Sequence, residues 1–92
     1  MIYVDELQYA PVVRGRAAKH GHRWCHLWCD SGDEEDLHAI AKKLGLKLEW
    51  YQQHRVQDHY DLTPGKRIKA VLLGACQITA REWLVRRNIE KG

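Results

Sequence analysis

Period-two alternation of apolar and polar residues marks some stretches of this chain, and recurrence every three to four residues marks others. Ile2-Tyr3-Val4 is a short β-prone run ended by Asp5 and Glu6, predicting a first strand near residues 2–5 with a carboxylate at its exit. From Trp24 to Cys29, one face carries Cys25, Leu27 and Cys29 and the other Trp24, His26 and Trp28. A strand apolar on both faces belongs in the middle of a sheet. Ser31 and Glu34 have the spacing of a reciprocal capping box, and Leu37, Ile40, Ala41 and Leu44 recur helically up to Gly45, which predicts a helix over about 33–44. Leu46, Leu48 and Trp50 then alternate with Lys47, Glu49 and Tyr51 as a third strand near 47–51. Residues 52–63 read as a polar connection that adds nothing to a core. Thr63 and Pro64 suit an N-cap and a first helical position, and the helix they open places Ile68, Val71 and Leu72 on its buried side before Gly74. Cys76 and Ile78 continue as a fourth strand near 75–78, and Thr79 with Glu82 caps a last helix that buries Trp83 and Leu84.

Strands alternating with helices predict an α/β fold: a single small sheet of about four mostly parallel strands with three packed helices, in the order β-loop-βαβαβα. Ninety-two residues suffice for one domain with one modest core. No apolar run is long enough to span a membrane, and no exported-protein signal opens the chain, so a cytoplasmic location is expected. Three cysteines without the spacing of a disulfide scaffold agree with that.

Charge adds polarity to this picture rather than a class. The net charge is +3, yet Arg14, Arg16, Lys19 and Arg23 lie in an acid-free loop with His20 and His22, while Asp30, Asp33, Glu34, Glu35 and Asp36 crowd together. The acidic run is accounted for by the dipole of the helix it opens. The basic loop 14–23 admits phosphate contact or simple solvation. The four tryptophans, in a chain without phenylalanine, are expected to fill the core or its rim.

In open α/β sheets, ligands bind beyond the carboxyl ends of the strands, and the expected strands deliver Asp5, Asp30 and the loop containing His59 and Asp61 there. The start of the Thr63 helix attracts an anion, with Lys66 and Arg67 adding charge. His59, Asp5, Asp30 and Asp61 are therefore the candidate catalytic groups, sharing one concavity, and His26, Tyr60, Thr63, Lys66 and Arg67 the candidate ligand-binding groups. His26 also reads as a neutral histidine packed between Trp24 and Trp28. The preferred partner is a phosphorylated or nucleotide-like small molecule, with no cofactor specified and no metal ligand assigned. One alternative uses the same carboxylates and histidines for a divalent metal in hydrolysis, which their convergence in space would have to supply, because no compact metal motif is present. Another, less favoured than the small molecule, is nucleic-acid binding through Arg14, Arg16, Lys19, Arg23, Lys66 and Arg67, with exposed tryptophans as stacking platforms. A zinc site on Cys25, His26 and Cys29 is not expected, since a strand separates Cys25 from Cys29 by about 13 Å and turns His26 to the other face.

Several blocks together resemble a known family: Tyr3-Val4-Asp5, Trp24-Cys25-His26-Leu27 with Asp30, Glu35 to His38, Leu44-Gly45-Leu46, His59-Tyr60-Asp61-Leu62, Lys66-Arg67 and Leu73-Gly74-Ala75. From about Ile2 to Trp83 the chain is similar to the bacterial and phage family called domain of unknown function 4031. The resemblance implies no activity. It marks Asp5, His26, Asp30, His59, Tyr60 and Asp61 as motif positions; the chain departs from the pattern at Cys29 and in a longer basic loop before Trp24.

Overall fold

The structure, a computed structural model, describes residues 1–11 and 19–91. Among the described residues, five strands and three helices follow in the order β1 (Ile2–Val4), β2 (Gln8–Tyr9), β3 (Arg23–Cys29), α1 (Glu34–Lys43), β4 (Tyr60–Leu62), α2 (Pro64–Leu72), β5 (Cys76–Gln77) and α3 (Ala80–Lys91), with a 3-10 turn at Leu48–Trp50. Of the basic loop, residues 14–18, Arg14 and Arg16 included, lie outside the described residues, whereas 19–23 lie within them. Among the described residues, no helix is long and apolar enough to cross a membrane.

The three expected helices are present, and α1 and α2 stop for the expected reason. Gly45 and Gly74 take φ of +79° and +105° just past α1 and α2. Leu46 N–H bonds back to Ala41 O at 2.9 Å and Gly45 N–H to Lys42 O at 3.0 Å, and Ala75 and Gly74 repeat the pattern on Ala70 and Val71. These are paired Schellman closures, which need a residue without a Cβ at the left-handed position. At the other end of α2 the Thr63 hydroxyl accepts the Lys66 N–H. Asp33, not Ser31, precedes α1, and its side chain makes no cap bond.

The sheet departs from expectation. It is mixed and mostly antiparallel, not mostly parallel: β3 runs against β1, β2 and β4, and the parallel pairing joins β1 to β5. The cause is residues 47–51. Their alternation does not form a strand; Leu48 and Trp50 are exposed on the 3-10 turn. After α1 has climbed back along the sheet, the segment 46–59 descends it again, so β4 enters from the end where β3 finishes. The expected polar connection supplies this strand, and Tyr60 and Leu62 are both fully buried, contrary to a segment without core residues.

Ile2, Val4, Cys25, Leu27, Cys29, Tyr60 and Leu62 point to one face and pack on Leu37 and Ala41 of α1 and Ala70 of α2. The inward stripe of α2 is Lys66, Arg67, Ala70 and Val71, so Leu72, expected in the core, is 80% exposed and Ile68 63%. Small Ala70 allows the helix close to the strands, while Lys66 and Arg67 lay their stems along it. On the opposite face Tyr3 stacks on Trp28 with ring centroids 5.6 Å apart, and Trp28 meets Trp83 of α3 edge-on. The remainder of that face is polar.

Candidate functional site

Val4 pairs with Leu27 and Gln8 with Trp24, so Asp5, Glu6 and Leu7 stand against only Cys25 and His26. One extra residue on one strand is the count of a β-bulge, which breaks the ladder locally and re-aims a side chain. Here it turns Asp5 onto β3. Its Oδ1 accepts the backbone N–H of His26 at 2.6 Å, and its Oδ2 accepts His26 Nδ1 at 2.6 Å and the Gln8 amide at 3.0 Å. Asp5 is 2% exposed, and a carboxylate that deep is tolerable because these donors replace its hydration. From α2, Arg67 Nε donates to the Asp5 carbonyl at 2.8 Å and Nη2 to Gln77 Oε1 at 3.3 Å, fixing the bulge from below.

Across the sheet, Asp61 of β4 is the register partner of His26, and His59, two residues earlier, projects from the same face. The His26 and His59 rings meet edge-on with centroids 4.7 Å apart, and His59 Nε2 lies 3.5 Å from Asp61 Oδ1. Asp61 Oδ2 accepts from Gln52 Nε2 at 2.6 Å, and Gln52 holds His59 through paired backbone hydrogen bonds of 2.8 and 3.0 Å. One ligand-type atom from each of His26, His59 and Asp61 falls within 4.8 Å of the others.

The tautomers follow from the partners. A carboxylate and a carbonyl only accept, so His26 Nδ1, facing Asp5, and His59 Nδ1, 2.9 Å from Gln57 O, both carry hydrogen. Each neutral ring then presents a bare Nε2. Imidazole held through Nδ1–H by a carboxylate or carbonyl is the arrangement of metal-ligating histidines, and two such rings with one carboxylate suit zinc and similar divalent ions. The donor set therefore fits such an ion. In the metal-free protein the hydrogen bond to Asp5 raises the His26 pKa above its ordinary value, with burial opposing.

The other sequence-predicted residues lie elsewhere. Asp30, expected in the same concavity, is not there: it follows β3, whose carboxyl end is at the opposite edge, about 13 Å along the strand from the Asp5 level. It accepts from the Tyr3 hydroxyl at 2.9 Å and pairs with the N-terminal ammonium. Tyr60 is a core residue, its hydroxyl 2.7 Å from His38 Nδ1. Thr63 is occupied as a cap, and Lys66 Nζ donates to Leu44 O at 2.8 Å, closing the end of α1. Cys25 and Cys29 are buried on the face opposite His26, as the strand requires. Gln8, Gln52 and Gln57 were not foreseen. Glutamines carry no signal in a single sequence, and their roles depend on the bulge and on the pairing of β4 with β3.

The chain belongs to the family described as Protein of unknown function (DUF4031), whose model matches residues 2–91. No curated protein and no solved structure matches it.

Proposed function

We propose that this member of the family binds one divalent transition-metal ion, zinc by its ligand chemistry, through His26 Nε2, His59 Nε2 and an Asp61 carboxylate oxygen, and that it is a metal-dependent hydrolase. The convergence of those three donors, with both Nδ1–H groups anchored behind them, carries the reading. Three protein ligands leave a coordination position open, the pattern of catalytic rather than structural zinc, and an ion so held supplies Lewis-acid chemistry there. Asp5 orients His26 and adds negative charge behind it, which strengthens the ring as a donor. Gln52 orients Asp61 by donating to its second oxygen.

The small-anion reading has less support. Of the first-turn groups of α2, Pro64 has no N–H, the Lys66 N–H is taken by Thr63, and the Arg67 N–H closes onto Thr63 O. Lys66 Nζ and Arg67 Nε are likewise engaged. Little beyond the Gly65 N–H is left to hold a phosphate at that helix end.

Metal analysis of the purified protein tests the proposal. One zinc or comparable ion per chain is expected after reconstitution and dialysis, falling to background in His26→Ala, His59→Ala and Asp61→Ala with the fold intact by circular dichroism. Equal metal content in those variants would reject it.

A further inference from the structure

A third histidine stands beside the cluster with the opposite tautomer. The His54 ring lies 5.7 Å from that of His59, centroid to centroid, on the excursion between Gln52 and His59. Its Nδ1 accepts the backbone N–H of Val56 at 3.1 Å. A backbone N–H only donates, so Nδ1 is bare and the ring hydrogen is on Nε2. His26 and His59 thus offer lone pairs at Nε2, whereas His54 offers a hydrogen there.

The position of His54 is built rather than incidental. Its backbone N–H donates to Asp58 Oδ1 at 2.9 Å, and Arg87 of α3 donates to the Val56 carbonyl, so the excursion is held both within itself and from the neighbouring helix. To join the ligand set, His54 would have to give up the Val56 hydrogen bond and move its proton. Kept as it is, its remaining function is to donate.

We infer that His54 is a hydrogen-bond donor to an anionic oxygen of the molecule bound beside His26, His59 and Asp61, and that the site therefore takes oxyanion ligands of the phosphate or carboxylate type. This rests on the metal reading above. A neutral imidazole donor held in place is suited to negative charge next to a cation, because it stabilises the anion without competing for the metal. His54 is exposed, which leaves its Nε2 without the burial that would make an unused donor costly and lets a ligand reach it.

The test uses the full chain loaded with Co2+, whose visible absorption reports on the ligand set, titrated with inorganic phosphate. In His54→Ala the affinity for Co2+ should be unchanged, while that for phosphate falls about tenfold or more, as befits one hydrogen bond to a charged group. His54→Gln, which restores an N–H donor near the same place, should recover part of the loss. Phosphate affinity equal to wild type in His54→Ala would overturn the inference, as would absence of phosphate binding to the wild-type Co2+ protein. A large loss of Co2+ affinity in His54→Ala would make it a ligand and overturn the donor role. Failure of Asp61→Ala to weaken Co2+ binding would instead strike the metal reading, and the anion site with it.

Discussion

At the scale of single residues, the polar face is organised by which nitrogen or oxygen is already spoken for. Asp5 and the Gln57 carbonyl fix two rings through Nδ1, and the hydrogen bond to Asp5 makes His26 hold its proton more tightly than an ordinary histidine. The sign of the consequence is definite. In the metal-free protein, this raised pKa contributes stability that is complete below about pH 6.5, the unfolded value, and is lost as pH rises through the folded one. A metal held at Nε2, as proposed, would expel that proton and so bind more strongly as pH rises. Calorimetric titrations of zinc in buffers of different ionisation heat should show proton release that persists above pH 6.5, the unfolded value, because the folded pKa is raised; an unchanged heat in every buffer would contradict the assignment of His26. The cysteines give a second residue-scale expectation. Burial pushes the Cys25 thiol up to about 12 and Cys29 to about 11, whereas Cys76 is only half-buried. A thiol-disulfide reagent at neutral pH should therefore label Cys76 quickly and the other two only after unfolding. Fast labelling of all three in native buffer would place Cys25 or Cys29 outside the core.

Among the elements, those with local punctuation were legible in the sequence and those made by pairing were not. Thr63-Pro64 and the two glycines at 45 and 74 delimit α2 and α1 through bonds within a few residues of each other, so their positions follow from the chain alone. β4 is three residues inside a polar stretch, and its Tyr60 and Leu62 become core only because β3 lies alongside. The converse holds at 47–51, where strand-like alternation has no partner strand to pair with and ends as a turn. The same distinction separates two leucines. Leu62→Ala, which empties a fully buried position, should destabilise by about 2 to 5 kcal/mol. Leu72→Ala, on the exposed side of α2, should change stability by no more than about 0.5 kcal/mol. Urea denaturation of both variants measures this; a larger loss at Leu72 than at Leu62 would mean that α2 is rotated from the orientation described.

For the whole molecule, the direction of β3 decides what the site contains. β1 and β4 run alike with β3 reversed between them, so the carboxyl ends of β1 and β4 reach one edge and that of β3 the other. Asp5 and Asp61 gather, Asp30 does not, and His26 joins from the middle of β3 rather than from a strand end. That is why the sequence pointed to several of the residues that gather on this face but grouped them by a rule for parallel sheets. The apolar half of the same sheet face, Tyr3 and Trp28 under Trp83 of α3, forms a wall next to the polar half. The account comes down to the state of two ring nitrogens. Long-range proton–nitrogen NMR of the histidine side chains, recorded before and after one equivalent of zinc, reads them directly. The predicted result is movement of the Nε2 signals of His26 and His59 to metal-coordinated values, with hydrogen retained on both Nδ1 atoms and no coordination shift at His38 or His54. Zinc shifting His20, His22 or His38 while leaving His26 and His59 unmoved would contradict it.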